Sequence, residues 1–246
     1  MPTESNSIRS RLPDPCRRNP VWYGLQLLAQ ALFPVWFRMR ARGVEHVPER
    51  GGALLVINHQ SFLDPLLVGM PLSRPVSYLA RDSLFRVPVV GWLLRHTYVF
   101  PVNREAASTS SIREAVRRLQ HGFLLGIFPE GTRGEGEGVR ELKPGFVAMV
   151  RRSRRPVVPV AVSGTHAAFP RDRVLPRPRR VYVVYGKPIS SAAIEPLCGH
   201  GREQNLIELV RDRMIECLDE AEAWRCRAEG LAAGRSRASR APTSER

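Results

Sequence analysis

Residues 53–68 read A-L-L-V-I-N-H-Q-S-F-L-D-P-L-L-V, the pattern of a strand, a short turn and a helix. The first five residues are all apolar, as expected of a strand buried on both faces of a parallel sheet. Asp64 stands before Pro65 and a second apolar run, which predicts a helix start with Asp64 as the N-cap. The stretch therefore predicts a β–α unit that delivers Asn58 and His59 to the carboxyl end of its strand.

Four more apolar runs of strand length follow, each bounded by Gly, Pro or polar residues: Val76–Leu79, Leu124–Phe128, Val157–Val162 and Val181–Tyr185. Apolar residues at helical spacing lie between and after them, at 112–119 and 207–221. This alternation predicts an α/β fold with a mostly parallel central sheet flanked by helices.

We divide the chain into three parts on composition. Residues 1–42 are predicted to be an N-terminal arm and a membrane-interface helix, and residues 43–225 to be the α/β domain. Residues 226–246 contain almost no large apolar side chain and are predicted to be a disordered basic tail.

The apolar segment 21–37 is 17 residues long, at the lower limit for crossing a bilayer. It is interrupted by two glutamines and a proline and followed by three arginines: Gln26, Gln30, Pro34, Arg38, Arg40 and Arg42. Aromatic ends beside a basic cluster favour a helix lying in the membrane interface. A helix packed on the domain is the alternative.

The net charge of +15 is unusual, and only Lys143 and Lys187 of the 38 basic residues are lysines. A basic surface attracts anionic membranes, nucleic acid or phosphorylated substrates. The basic blocks at 151–155 and 171–180 therefore suit lipid headgroups or coenzyme A phosphates, or are simply solvated. Nucleic-acid binding is the weaker interpretation, because these blocks lack interleaved aromatic residues and no nucleic-acid-binding motif is present.

The cysteines form no C-x-x-C pair and have no histidine at metal-ligand spacing: Cys16, Cys198, Cys217 and Cys226. We expect free thiols in a reducing compartment, with no metal site and no cofactor.

His59 and Asp64 have two interpretations. In one, they are a loop histidine and a helix cap. In the other, the carboxylate holds one ring nitrogen of His59 and leaves the other as a base, at the sheet edge where α/β proteins bind ligands. The sequence contains no G-x-S-x-G motif, so a substrate hydroxyl is a better nucleophile candidate than an enzyme side chain.

Residues 128–133 read F-P-E-G-T-R and also follow a predicted strand. A tight turn there can direct backbone amides at an anion, and Arg133 adds a bidentate donor for phosphate or carboxylate. A surface turn with a solvated arginine is the alternative.

Taken together, these motifs resemble the glycerolipid acyltransferase family, whose best-known members are 1-acyl-sn-glycerol-3-phosphate acyltransferases. The resemblance covers about residues 40–190. The segments that carry it are R-G-V-E-H-V-P at 42–48, N-H-x-x-x-x-D at 58–64, L-F-R-V-P-V-V-G-W at 84–92, F-P-E-G-T-R at 128–133, L-K-P-G-F at 142–146 and V-V-P-V-A-V at 157–162.

The resemblance implies that His59 is the general base and that Asp64 orients it. It also implies a set of acceptor-binding residues, in which Arg133 contacts the phosphate, Arg81 stands where many members have a lysine, and Pro159 shapes the wall of the site. The full set is Arg81, Arg104, Glu130, Gly131, Thr132, Arg133 and Pro159.

One motif departs from the family pattern of glycine, phenylalanine and arginine at three-residue spacing. Here the run is Y-V-F-P-V-N-R at 98–104, so Arg104 keeps its place while Tyr98 replaces the glycine and Pro101 the phenylalanine. This leaves the identity of the acceptor open.

The function implied by the resemblance is acyl transfer from acyl-CoA or acyl carrier protein to a lysophospholipid hydroxyl, giving phosphatidic acid from 1-acyl-sn-glycerol-3-phosphate. An enzyme acting on another alcohol or an amine is the alternative. We expect it at the cytoplasmic face of the cell membrane, peripheral or monotopic, on an anionic surface.

Overall fold

The computed structural model describes residues 12–17, 19–102, 109–134, 138–173, 175–199 and 201–230. The helices and strands follow one another as α1 (Pro20–Trp36), β1 (Arg40–Arg42), β2 (Ala53–Ile57), α2 (Asp64–Gly69), β3 (Val76–Arg81), α3 (Pro88–His96), β4 (Phe100–Val102), α4 (Thr109–His121), β5 (Leu124–Ile127), α5 (Gly145–Ser153), β6 (Val157–Ser163), α6 (Thr165–Ala168), β7 (Tyr182–Tyr185), α7 (Ser191–Ile194) and α8 (Glu203–Glu229). Short 3₁₀ helices lie at Val44–His46, Asp82–Arg86 and Glu195–Cys198.

The strands form one sheet in the order β1-β7-β6-β2-β5-β3-β4. Among the described strands, every neighbouring pair is parallel except β6 and β7. The predicted fold class, a mostly parallel sheet flanked by helices, is confirmed. The sequence prediction missed β1 and β4, which are three-residue edge strands and too short to carry a periodic signal.

Strand β2 lies at the centre of the sheet and is buried over its whole length. Its alternate residues face opposite sides, because successive side chains of a strand point to opposite faces. Leu54 and Val56 join the core beneath α4, α5 and α8, while Leu55 and Ile57 join the core on the side of α2. This double burial explains why the strand has no polar positions.

Helix α1 packs on the domain through one face and exposes apolar residues on another. The buried Gln26 donates hydrogen bonds to the backbone carbonyls of Met70 and Leu72 at 3.2 and 2.7 Å. The exposed residues are Tyr23, Leu27, Leu28, Leu32, Val35 and Trp36. Within the described residues, no helix combines the length and the apolar character needed to cross a membrane.

Helix α8 continues through Glu229, past residue 226 where we predicted the tail to begin. It ends at Gly230, which adopts a left-handed conformation with φ 68° that glycine accommodates without strain. The helix persists because it continues a segment that packs on the sheet through Met214, Leu218 and Ala221. The remainder of the predicted tail, and residues 1–11 of the predicted arm, lie outside the described residues.

Candidate active site

The His59 ring and the Asp64 carboxylate lie together at the carboxyl end of β2. Nδ1 of His59 is 3.0 Å from Oδ2 of Asp64. Because a carboxylate only accepts hydrogen bonds, this contact places the proton on Nδ1 and leaves Nε2 as an acceptor. The His59 side chain is 19% exposed, whereas Asp64 is fully buried, so the ring can meet a substrate while its partner is held in place.

The Asp64 carboxylate turns back toward the loop before α2. Its Oδ2 also accepts the backbone N–H groups of Gln60 and Ser61, both at 2.7 Å. The position before the helix is Leu63, and Asp64 is the first helical residue, so our prediction of an N-cap at Asp64 was wrong. The carboxylate closes the turn and holds His59, through hydrogen bonds to Gln60, Ser61 and the imidazole.

The turn after β5 fixes the backbone of His59 from both sides. Oε1 of Glu130 accepts the His59 N–H at 3.2 Å, and the N–H of Gly134 donates to the His59 carbonyl at 2.6 Å. Burial is the largest influence on Glu130 and raises the pKa of its carboxyl to about 7, against the lowering effect of the His59 N–H and of Arg140. Glu130 therefore supports the histidine, although the resemblance implied a place for it in the acceptor pocket.

Arg133 lies across the ring of Phe62, with its guanidinium carbon 3.7 Å from the ring centroid. Its Nη1 is buried and has no hydrogen-bond partner among the described residues. Burial and the positive charges of Arg171 and Arg81 lower the pKa of Arg133, and the charge of Asp64 acts in the opposite direction. The guanidinium thus lies in the electrostatic range of Asp64, and its Nη1 has no acceptor among the residues that the structure describes.

A cavity of about 310 Å³ opens beside His59. Its wall is largely apolar and is formed by His59, Leu79, Arg81, Val102, Gly126, Ile127, Phe128, Pro129, Gly131, Lys143, Gly145, Phe146 and Met149. Apolar lining with a few charged groups is typical of a site for a chain-like ligand with a polar end.

Gly131 has a close neighbour in this wall. It has φ 72°, and a Cβ at this position would lie 2.8 Å from Cε and Nζ of Lys143. The backbone conformation of Gly131 therefore favours glycine, and any side chain here would displace the flexible end of Lys143.

The structure does not bring every predicted residue to this cavity. Pro159 lies inside β6 opposite Val56, and it is absent from the cavity wall. Thr132 is exposed and accepts a hydrogen bond from Arg171 at 3.5 Å. Arg104 lies outside the described residues.

Tyr98, which replaces the family glycine, has φ 63°, in the left-handed region that disfavours most side chains. It is buried, and its hydroxyl donates to the carbonyl of Arg17 and accepts the N–H of Asn19 at 3.3 Å. The strain of the backbone is thus accompanied by contacts that tie the start of α1 to the domain.

Three residues near the site were not singled out individually from the sequence. Phe128 stacks on the His59 ring at a centroid distance of 4.2 Å, Lys143 lines the cavity, and Arg171 contacts the F-P-E-G-T-R turn. The sequence feature that could have drawn attention to Lys143 is that it is one of two lysines among 38 basic residues. Arg171 was hidden in an arginine-rich block.

The arrangement offers a base without an enzyme nucleophile. The described residues contain no group of three metal-ligating side chains of the His, Cys, Asp and Glu types. Burial raises the pKa of the Cys217 thiol to about 12 and also raises the pKa of Cys198, so neither is an activated thiolate. The chemistry that fits is removal of a proton from a substrate hydroxyl.

Comparison with known proteins identifies relatives and a family model. A family model described as "Acyltransferase" matches residues 38–163, about half of the chain. A 1-acyl-sn-glycerol-3-phosphate acyltransferase of Borreliella burgdorferi is 27% identical over 179 residues, covering 72% of this chain and 70% of its own length. The enzyme of that name from Bacillus subtilis is 29% identical over 173 residues, covering 70% and 84%.

The crystal structure of the 1-acyl-sn-glycerophosphate (LPA) acyltransferase PlsC from Thermotoga maritima has the same fold. It superposes with a TM-score of 0.65 at 24% sequence identity and covers 79% of this chain and 78% of its own.

Proposed function

Because this chain belongs to the acyltransferase family, we propose that it moves a fatty acyl group from a thioester to the hydroxyl of a lysophospholipid. The acceptor we propose is 1-acyl-sn-glycerol-3-phosphate, with phosphatidic acid as product, in keeping with the names of the Borreliella burgdorferi and Bacillus subtilis relatives. The observation that carries the proposal is the His59 ring, held by Asp64 and opening on a largely apolar cavity.

In this mechanism, Nε2 of His59 takes the proton of the acceptor hydroxyl as its oxygen attacks the thioester carbonyl. The tetrahedral intermediate then collapses, the carbon–sulfur bond breaks, and the leaving thiolate takes the proton from the imidazolium. Asp64 holds the productive tautomer and stabilises the charged ring through Oδ2. Arg133 and Arg81 bind the acceptor phosphate, and the apolar wall accommodates an acyl chain.

The donor is proposed to be acyl-CoA or acyl carrier protein. The proposed location is the cytoplasmic face of the cell membrane, on an anionic surface, with the exposed apolar residues of α1 in the interface. Burial of that face provides apolar attraction, and nearby arginines such as Arg38 and Arg40 add about 1 kcal/mol each near anionic lipid.

Tyr98 and Pro101 replace the glycine and phenylalanine of the family motif, so acceptors other than 1-acyl-sn-glycerol-3-phosphate are tested as well. The purified protein is incubated with radiolabelled oleoyl-CoA and, separately, 1-acyl-sn-glycerol-3-phosphate, lysophosphatidylglycerol, lysophosphatidylcholine, a long-chain alcohol and a long-chain amine. We expect labelled phosphatidic acid, formed at least about 100-fold more slowly by His59→Ala. Label appearing only in another product would replace the proposed acceptor. If no acceptor is labelled from oleoyl-CoA or, in a parallel assay, from oleoyl acyl carrier protein, the proposed activity is refuted.

A further inference from the structure

Arg171 stands at the same edge of the sheet as the proposed acceptor site. It follows β6, a neighbour of β2, and the carboxyl ends of these parallel strands meet at one edge. Its Nη2 donates to the backbone carbonyl of Arg133 and to Oγ1 of Thr132 at 3.5 Å. The guanidinium is therefore fixed against the turn, although no motif includes it.

Arg81, Arg133 and Arg171 form a cluster of like charge. Both Arg81 and Arg171 act on Arg133 strongly enough to contribute to its lowered pKa. Across the described ranges, none of the three forms an ion pair with a carboxylate. Neighbouring cations repel one another, and a bound anion relieves the repulsion.

A second observation points to an anion at the same place. Nη1 of Arg133 is buried without a hydrogen-bond partner in the described part of the chain. A buried donor without an acceptor costs free energy. A ligand oxygen that accepts from Nη1 removes this cost, so it contributes more binding free energy than the same contact to an exposed arginine. Within the described part of the chain, Nη2 is the nitrogen of Arg171 that donates, so its other nitrogens can contact the same ligand.

We propose that Arg171 is a specificity-determining residue: with Arg81 and Arg133 it selects a phosphomonoester headgroup over a phosphodiester. This inference rests on the proposed function. A phosphomonoester carries between one and a half and two negative charges near neutral pH, roughly as phosphoserine does, whereas a diester carries one. A third cation therefore adds more to the binding of the monoester.

The test measures binding, so it does not depend on turnover. The probes are 1-hexanoyl-2-deoxyglycerol-3-phosphate, which lacks the reacting hydroxyl, and its methyl phosphodiester, each titrated calorimetrically into the full-length protein. The variants are Arg171→Gln and Arg171→Lys. The control is Arg173→Gln, which removes an exposed arginine of the same block whose partner is Asp172 at 3.6 Å.

We expect Arg171→Gln to weaken binding of the monoester about tenfold, the loss of one charge-assisted contact, and binding of the diester less than threefold. Arg171→Lys should recover part of the selectivity, and Arg173→Gln should match wild type. Below about pH 6 the monoester loses its second charge, so the difference between Arg171→Gln and wild type should shrink.

If Arg171→Gln weakens binding of the monoester and of the diester equally, Arg171 only supports the turn. If it changes the binding of neither probe, Arg171 lies outside the site. Coenzyme A also carries a phosphomonoester, so coenzyme A and its 3′-dephospho form are titrated as well. A selective loss of coenzyme A binding in Arg171→Gln would assign the cluster to the donor and overturn the proposal. If the wild-type protein transfers no acyl group but still prefers the monoester, the proposed function is refuted and the binding proposal stands.

Discussion

Oε1 of Glu130 accepts the backbone N–H of His59 at 3.2 Å, although the two residues are 71 positions apart. The F-P-E-G-T-R turn is thereby joined to the loop that carries the proposed base, and Gly134 completes the link through the His59 carbonyl. The two motifs are joined by these hydrogen bonds, so we expect a change in the turn to alter the position of the histidine.

Replacing His59 with alanine should lower kcat by about 10²–10⁴-fold, the usual loss when a positioned base is removed. Asp64→Asn should lose at most as much, because an amide can donate to Nδ1 and so favour the wrong tautomer. The measurement is steady-state transfer from oleoyl-CoA, with thermal unfolding as the control for folding. Near-wild-type turnover in folded His59→Ala would exclude His59 as the base.

Replacing Glu130 with glutamine should make stability depend less on pH. The folded-state pKa is raised to about 7 from an ordinary 4.5, so between these values the folded protein binds more protons than the unfolded chain. The free energy of unfolding of wild type therefore falls as pH rises through this window, by up to about 3 kcal/mol, whereas glutamine does not titrate.

Urea unfolding of both proteins at pH 5 and pH 8 measures this. The free energy of unfolding of Glu130→Gln, relative to wild type, should be higher at pH 8 than at pH 5. Any fixed cost of placing an amide beside the Arg140 backbone cancels in that comparison. A difference that is the same at both pH values would mean that Glu130 is ionised across the window.

Replacing Arg133 with alanine should raise KM for the phosphorylated acceptor about tenfold or more and leave KM for the acyl donor within about twofold. The reason is the loss of a buried donor beside the His59–Asp64 pair. Arg179→Ala is the matched control, since Arg179 is exposed and lies in the basic block. Equal rises in both KM values would argue against a phosphate contact.

Polar substitution of the exposed face of α1 should weaken membrane binding. Leu28→Ser with Leu32→Ser removes two side chains that are 56% and 52% exposed and so spares the core. Sedimentation with anionic liposomes should show reduced binding for the double variant. Wild-type binding should weaken in high salt without full release, because salt screens only the charged part of the attraction.

Turnover on a short-chain soluble acceptor should stay unchanged, which separates membrane contact from catalysis. Deleting residues 1–40 would be a poorer test, because it also removes Phe37 and Met39, which are buried in the core. Undiminished liposome binding by the double variant would move the membrane contact to another surface.

Local patterns in the sequence were enough to predict the fold class and five of the seven strands. Strand β2, for example, is an unbroken apolar run because the sheet buries both of its faces, and that burial is visible in composition. The closeness of His59 and Asp64 was also predictable, because only one turn separates them.

The links between distant segments were decided by the tertiary structure alone. The sheet order places the loops after β2, β5 and β6 side by side, and no local pattern encodes which strands are neighbours. Glu130 therefore contacts the His59 backbone, and Arg171 contacts Arg133 from within the basic block at 171–180. Residue type and spacing predict contacts between residues a few positions apart along the chain. Contacts between loops that follow different strands depend on the order in which the strands pack in the sheet.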